Sequence, residues 1–307
     1  MKTEPPLIRP AQIDFPGFEI DADDTVVDIG CGDGVVCVYA GHRGADVIGL
    51  DIEPELIERA EKAMAGVPAR SFRGIVGDAD PIPLPDAVAS VVVCTEVLEH
   101  VDDPSRILNE LVRIGKPGAR YLISVPDPAS ESLMRDLAPS WYFEKPIHIR
   151  VFEHEVLDRC CQDAGLEIDA RHSTGFYFSM YWMIRMSVGM EHKYADAQPH
   201  PAFTHLDGIF DTLLAAPGGH AAHRKLDRLI PKSQVVLARK PVPVKGSASG
   251  SETRSASRSA GGKLLTAHEP ARGGRGPIGR SIVAALKDGS IELAGINLRW
   301  SLRRSGK

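Results

Sequence analysis

A glycine-rich loop that directly follows an apolar run is the feature that most constrains the fold of this chain. Val26–Ile29 leads into Gly30-Cys31-Gly32-Asp33-Gly34, and a helical pattern follows. Glycines allow a tight turn and a close approach to a ligand, and the N-terminus of the next helix offers unpaired N–H groups. Asp51 ends the next apolar run, where a carboxylate can accept hydrogen bonds from both hydroxyls of a ribose. The loop therefore predicts an α/β fold that binds a nucleoside cofactor.

Short apolar runs alternate with helical patterns along most of the chain. Amphipathic spacing predicts helices at Val35–His42, Glu53–Ala65, Pro104–Ile114 and Glu153–Ala164. The apolar runs predict seven strands, which are Thr25–Ile29, Asp46–Leu50, Phe72–Val76, Ser90–Cys94, Tyr121–Val125, one that begins with Leu166–Ala170, and Ser233–Ala238. Near-continuous apolar strands separated by helices are typical of a mostly parallel sheet that is covered on both faces.

Composition divides the chain into three predicted parts. Residues 1–240 form one α/β domain, with an insertion at about 174–232 that is rich in aromatic residues and methionine near its start. Residues 241–280 are dominated by glycine, serine, alanine and arginine, which predicts a disordered linker. Residues 281–307 form a short basic segment, in which apolar and polar residues alternate over 296–302 as on an amphipathic strand.

Charge is distributed unevenly along the chain. The formal net charge is −5, yet residues 240–307 hold 13 basic and 4 acidic residues, and residues 1–239 hold 23 basic and 37 acidic ones. Because so acidic a body repels phosphates, we expect no nucleic-acid partner for the catalytic domain. The basic tail, with Arg299, Arg303, Arg304 and Lys307, is a candidate contact for an acidic partner or a membrane surface.

Cysteine usage and hydropathy predict the compartment. None of the five cysteines forms a C-x-x-C pair, so the sequence indicates reduced thiols and no zinc site. No apolar run reaches the roughly 18 residues that a membrane span needs, and the first residues lack the apolar core of a secretory signal. We therefore expect a cytoplasmic protein without a transmembrane segment.

The spacing of the glycines distinguishes two nucleoside cofactors. Nicotinamide dinucleotides are typically bound by G-x-G-x-x-G, whereas this loop reads G-x-G-x-G and Val35 stands where the third glycine would be. Asp28, just before the first glycine, is a poor neighbour for a pyrophosphate and suits a ligand with an ammonium group. The loop therefore favours S-adenosylmethionine, with an NAD(P)-dependent oxidoreductase as the alternative.

Four segments together resemble the class I S-adenosylmethionine-dependent methyltransferases. They are Val26–Gly34, Gly49–Ile52, Gly77–Asp86 and Val91–Val101, and they occur in the family's order. The resemblance covers about residues 20–240 and is closest to the subgroup that contains quinone-biosynthesis and many small-molecule enzymes. It implies a Rossmann-like seven-stranded, mostly parallel sheet with helices on both faces, an antiparallel last strand and a helical cap insertion.

The same resemblance implies roles for residues of the glycine loop and its surroundings. Gly30, Gly32 and the neighbouring backbone of Cys31 are expected to pack against the methionine moiety of the cofactor. Asp28 is expected near the amino group of that moiety, through a water molecule. Asp51 is expected to hold the ribose.

Later segments complete the site that the resemblance implies. Ile52 is expected to pack on the adenine, and Asp78 is expected to meet the adenine amino group beside the backbone of Ala79. Thr95 and Glu96 are expected to border the pocket in which methyl transfer takes place.

The segment that follows the fourth strand is a candidate for chemistry at the acceptor. Glu96, Glu99 and His100 would share one face if a helix began here. They resemble the metal site of ubiquinone-pathway O-methyltransferases and of enzymes that methylate the terminal 2′-hydroxyl of small RNAs. In the latter a further histidine completes the set, and His148 could take that part with Mg²⁺ as the ion. The alternative is that Glu99 and His100 only brace the start of a helix. Glu96, His100 and His148 are then the candidate catalytic residues, with either histidine as a general base.

The acceptor is expected to be a small molecule or a lipid- or sugar-linked one, methylated at oxygen. Trp141–Phe143 and the run from Phe176 to Met190 would make an apolar pocket wall, or they would pack as the core of capping helices. No Asn/Asp-Pro-Pro-Tyr/Phe motif of amino-methylating enzymes is found, although methylation of nitrogen or carbon stays open. A non-catalytic S-adenosylmethionine-binding protein is a further alternative.

Overall fold

A computed structural model describes residues 15–145, 147–188, 200–243, 290–293 and 296–299. The chain divides into two compact units, Met1–Ser257 and Arg258–Lys307. In the second unit the described residues form an antiparallel hairpin of Ser290–Leu293 and Ile296–Arg299. The predicted linker at 241–280 lies outside the described residues except for 241–243.

The described part of the first unit contains both strands and helices, which alternate over most of its length. Its strands are β1 (Thr25–Ile29), β2 (Asp46–Asp51), β3 (Ser71–Val76), β4 (Ala89–Thr95), β5 (Gly115–Pro126), β6 (Glu167–Thr174) and β7 (Ser233–Arg239). Its helices are α1 (Val35–His42), α2 (Pro54–Met64), α3 (Pro104–Ile114), α4 (Pro128–Leu137), α5 (His154–Asp163), α6 (Phe176–Ser187), α7 (Pro201–Ala215) and α8 (Gly219–Leu229). The seven strands form one sheet in the order β3-β2-β1-β4-β5-β7-β6.

The direction of the strands confirms the predicted fold class. The pairs from β3 through β5 are parallel, and β7 runs antiparallel to both β5 and β6. The central strands are fully buried because helices cover both faces; Val26, Val92 and Leu122 are each 0% exposed. The chain order reverses beside β1, between β2 and β4. In open α/β sheets ligands bind at this switch point, beyond the carboxyl ends of the strands.

Two local differences from the sequence prediction concern the helices near that edge. No helix begins at Glu96: residues 96–103 form turns, and α3 begins at Pro104, where Asp103 accepts N–H bonds from Ser105 and Arg106. The condition for placing Glu96, Glu99 and His100 on one helix face is therefore not met. The second difference is α4, which was not predicted; Asp127 caps it and Pro128 stands in its first turn.

The described residues of the insertion between β6 and β7 form α6, α7 and α8, which agrees with the helical cap that was expected. Its aromatic and methionine side chains pack largely with one another. Tyr177, Leu206 and Phe210 form one small core, and Met183 and Met186 join a second with residues of α4 and the segment after it. Packing therefore accounts for much of this apolar run.

Candidate active site

The glycine loop joins β1 to α1 at the switch point of the sheet. The N–H groups of Gly30 and Cys31 both donate to the Leu50 carbonyl at the end of β2, at 2.8 and 3.0 Å. Gly30 and Gly32 have φ angles of 69° and 54°, a region that glycine enters without strain. A Cβ on Gly30 would lie 2.3 Å from Val97 Cγ2, in the segment after β4. The loop is thus fitted between two strand ends.

Asp51 ties this loop to the end of β2. Its Oδ2 accepts the N–H of Gly32 at 2.9 Å, and its Oδ1 accepts the N–H of Glu53 at 3.0 Å. The residue is 8% exposed. Each carboxylate oxygen has a further lone pair, so both can still accept hydrogen bonds from a ligand. The arrangement fits the ribose-binding role that the sequence predicted for Asp51.

Asp28 supplies a buried negative charge beneath the loop. It is 1% exposed, and its Oδ2 accepts only a weak hydrogen bond from Cys37 Sγ at 3.6 Å. Among the described residues, its Oδ1 has no hydrogen-bond partner. Burial raises the pKa of Asp28 to about 7, and the nearby charge of Asp51 acts in the same direction. An ammonium group at this point would satisfy the orphaned oxygen and favour its ionised form.

A shallow apolar shelf lies beside the loop at the ends of β2 and β3. Ile52 and Val76 are 64% and 52% exposed, and Val76 is the register partner of Asp51. Asp78 is exposed and Ala79 is buried just beyond β3. Exposed apolar side chains beside a polar group are suited to a flat aromatic base. Val76 belongs to this shelf although the sequence had not singled it out.

Glu96 follows Thr95, the half-buried last residue of β4, and has a left-handed backbone with φ 56°. Its carboxylate accepts hydrogen bonds from Ser124 Oγ at 2.9 Å and from Lys232 Nζ at 2.7 Å. Burial alone would raise the pKa of Glu96, but the charge and hydrogen bond of Lys232 hold it below its usual value. A carboxylate so stabilised is a weak base.

A second group of side chains lies beside this pair. Donor atoms of Glu99, His100 and His148 all lie within 4.8 Å of one another, an arrangement able to hold a metal ion. Glu99 is 1% exposed, and His100 Nε2 lies 3.6 Å from its Oε1. Burial raises the pKa of Glu99 well above its usual value, and the charge of Glu96 adds to the effect.

Both histidines are oriented through their Nδ1 atoms. His148 Nδ1 lies 3.1 Å from Oε2 of Glu131, a buried carboxylate that also accepts a hydrogen bond from the Tyr142 hydroxyl at 3.2 Å. His100 Nδ1 lies 2.8 Å from the carbonyl of Ile147. Since each acceptor requires a proton on Nδ1, the neutral rings present Nε2 as the atom with a lone pair.

The structure thus brings together three of the four predicted metal ligands and separates the fourth. Glu96 is not among the residues whose donor atoms lie within 4.8 Å of one another, and its carboxylate is paired with the Lys232 ammonium and with Ser124. Sequence reasoning missed Lys232 and Glu131, which lie 136 and 17 residues from their partners. No local pattern signals such pairs. Asp127 and Pro128 are a helix-start signal that could have predicted α4, the helix that carries Glu131.

Comparisons with known proteins point in one direction. The sequence profile of a family described as a methyltransferase domain matches residues 10–171, about half of the chain. The chain is 29% identical over 170 residues to a ubiquinone biosynthesis O-methyltransferase of Leptothrix cholodnii, over 52% of this chain and 71% of that protein. It is 35% identical over 105 residues to a protein of the same name from Pseudomonas paraeruginosa, over 34% of this chain and 44% of that one.

One further relative and one solved structure are also similar to this chain. A probable S-adenosylmethionine-dependent methyltransferase of Mycolicibacterium smegmatis is 32% identical over 146 residues, which cover 47% of this chain and 52% of that protein. The matches thus span about half the length of two of these three relatives. Among solved structures, a SAM-dependent methyltransferase of Methanosarcina mazei has a TM-score of 0.46 at 20% identity, over 73% of this chain and 95% of that one.

Proposed function

This chain belongs to the family of methyltransferase domains, and on that premise we propose that it transfers a methyl group from S-adenosylmethionine to a hydroxyl oxygen of a small or lipid- or sugar-linked acceptor. The observation that carries the cofactor assignment is the orphaned, buried oxygen of Asp28 below a glycine loop that Asp51 holds in place. A dinucleotide places its anionic pyrophosphate at the glycine loop and has no ammonium group to offer that oxygen. The methionine end of S-adenosylmethionine carries an ammonium group.

Oxygen is favoured as the acceptor atom by the pair of Glu131 and His148. S-adenosylmethionine supplies an already activated methyl group on its sulfonium, so the chain must place the acceptor in line and remove its proton. When no cation is bound, Glu131 holds the His148 ring at Nδ1 and leaves its Nε2 lone pair to act as a general base; a bound cation would take that lone pair and would itself activate the hydroxyl. His148 suits this role better than Glu96, whose charge Lys232 already stabilises.

Glu99, His100 and His148 are the residues that would hold a divalent cation. Their donor atoms are close enough, and the Glu99 carboxylate, which accepts no hydrogen bond among the described residues, is a ligand of the right type. Such a cation, when bound, lowers the pKa of an acceptor hydroxyl. The Mg²⁺ predicted from the sequence fits these three residues only in part, because Glu96 does not join them.

Calorimetry with S-adenosylhomocysteine and with NADH tests the cofactor assignment. We expect S-adenosylhomocysteine to bind with one site per chain and NADH not to bind. The reverse result would refute the proposal in favour of an oxidoreductase. If the cofactor binds but a library of hydroxylated acceptors gives no methylated product, methylation at oxygen is refuted for that library, and acceptors with nitrogen or carbon nucleophiles then test the non-catalytic alternative. Activity that survives EDTA would remove the metal from the proposal.

None of the helices among the described residues is long and apolar enough to cross a membrane. The prediction that the basic tail contacts an acidic partner or a membrane surface concerns residues of which only 290–293 and 296–299 are described. It stays a prediction, as does the absence of a nucleic-acid partner.

A further inference from the structure

The two histidines of the candidate metal site have the environment of ligands. Histidines that bind metals almost always donate their other ring N–H to a carboxylate or a backbone carbonyl, which fixes the tautomer. His148 does so to Glu131 and His100 to the Ile147 carbonyl, at 3.1 and 2.8 Å. Both support contacts are therefore present before any ion binds.

Glu99 independently indicates a missing partner. It is 1% exposed, and neither carboxylate oxygen has a hydrogen bond within the part of the chain that the structure describes. Buried polar groups in proteins are normally paired, and an orphaned carboxyl group calls for an explanation such as a bound ion. The backbone of Glu99 is itself held, since its carbonyl accepts the N–H of Ile149. The backbone of Glu99 is thus held, and its carboxylate has the His100 ring beside it at 3.6 Å but no hydrogen bond among the described residues.

Lys232 determines whether Glu96 is available as a ligand of the candidate metal site. Its ammonium bonds Glu96 at 2.7 Å, and its side chain is only 12% exposed. The lysine is anchored on both sides by its backbone, because its N–H donates to the Thr174 carbonyl and its carbonyl accepts the N–H of Asp127. A metal cation that took Glu96 as a ligand would have to displace the Lys232 ammonium group from it.

We infer that Lys232 withholds Glu96 from the metal site and leaves a set of two imidazoles and one carboxylate, which takes a first-row transition-metal cation such as Mn²⁺, Fe²⁺ or Zn²⁺ in preference to Mg²⁺. This inference rests on the proposed function only in placing the acceptor at the same site. Imidazole nitrogen suits transition metals, whereas Mg²⁺ prefers oxygen ligands and retains its water. With Glu96 available, two carboxylates would have shifted the balance towards Mg²⁺.

Metal binding to the full chain, freed of metal with EDTA and carrying no affinity tag, tests the inference. Calorimetry with Mn²⁺ and Zn²⁺ is expected to show one site per chain, and Mg²⁺ is expected to bind more weakly by about tenfold or more. Glu99→Gln is expected to weaken Mn²⁺ binding by about tenfold or more. The pair Glu96→Gln with Lys232→Met, which keeps the buried charge balanced, is expected to change it by less than about threefold, because neither residue is a ligand.

The single variant Lys232→Met releases Glu96, so its affinity for Mg²⁺ is expected to rise by about tenfold. Lys62→Met on the exposed face of α2 is the matched control and leaves both affinities unchanged. Circular dichroism and binding of S-adenosylhomocysteine report whether each variant is folded. The inference is overturned if Mg²⁺ binds as tightly as Mn²⁺, if no metal binds, or if the charge-balanced pair loses as much affinity as Glu99→Gln. If the unaltered chain does not bind S-adenosylhomocysteine, that result refutes the proposed function instead.

Discussion

Binding of S-adenosylhomocysteine should depend on pH through Asp28. Burial raises the pKa of this carboxyl to about 7, so below pH 7 the folded protein holds it mainly protonated. The ammonium group of the ligand favours the ionised form, whose fraction rises from about 0.1 at pH 6 to about 0.9 at pH 8. We therefore expect affinity to increase by about tenfold across this interval, with uptake of the ligand releasing a proton below pH 7.

The raised pKa of Asp28 also predicts how the stability of the fold depends on pH. The carboxyl group ionises near pH 4 in the unfolded chain and near pH 7 in the folded one, so stability falls as the pH rises between these values. Three pKa units correspond to about 4 kcal/mol. Asp28→Asn removes this cost, and its free energy of unfolding should exceed that of the unaltered chain by up to about 4 kcal/mol at pH 8 and match it near pH 4.

Calorimetry from pH 6 to 8, in buffers of different ionisation enthalpy, measures both affinity and proton release. Asp28→Asn should bind more weakly at pH 8 and lose the pH dependence. Asp33→Asn is the matched control, because Asp33 lies in the same loop and is exposed. Apart from the residue that is changed, the three proteins have the same titratable groups, so the difference in slope isolates Asp28. A flat affinity in the unaltered chain, or an equal slope in Asp28→Asn, would refute the reasoning.

Three other changes have expected outcomes that follow from the described contacts. Gly30→Ala should destabilise the fold by about 2 to 4 kcal/mol in urea titrations and weaken cofactor binding, since its Cβ meets Val97 at 2.3 Å, whereas Gly32→Ala has open space and should cost about 1 kcal/mol of backbone strain. Leu108→Ala on α3 should lower the free energy of unfolding by about 3 to 5 kcal/mol, because the side chain is 0% exposed. Glu131→Gln should reduce turnover by about 10- to 100-fold without changing the affinity for S-adenosylhomocysteine, because it orients an acceptor-side histidine and lies away from the glycine loop.

Each of these outcomes has a clear opposite. Equal costs for the two glycine substitutions would mean that Val97 moves aside, and the loop would then be less tightly fitted than the contact indicates. A loss below about 1 kcal/mol for Leu108→Ala would mean that the core refills the cavity. Unchanged turnover in Glu131→Gln would remove His148 from the reaction, which a pH profile of kcat would corroborate.

The fold could be predicted in large part because its signals are local. Apolar runs and helical periodicity located the start of each strand of the sheet to within about one residue, except for β5. That strand begins earlier than predicted, at Gly115. The predicted end of β2 then indicated that Asp51 lies beside the glycine loop, because the carboxyl ends of parallel strands meet at one edge of the sheet. The turn at Glu96 defeated the same reasoning, because helix-like spacing is also compatible with a turn whose backbone is fixed by distant contacts.

The sequence by itself determined the cofactor loop, since the spacing of its glycines and the positions of Asp28 and Asp51 follow from local chain geometry. Only the tertiary structure decided the acceptor side. Glu96 has Lys232 as its partner across 136 residues, and the pairing depends on β7 returning antiparallel beside β5 after the cap. The separation of Glu96 from Glu99, His100 and His148 is therefore a property of strand order and burial. The partner of the Glu96 charge depends on which side chains surround it in the folded chain. The spacing of Glu96, Glu99 and His100 along the sequence cannot specify that partner.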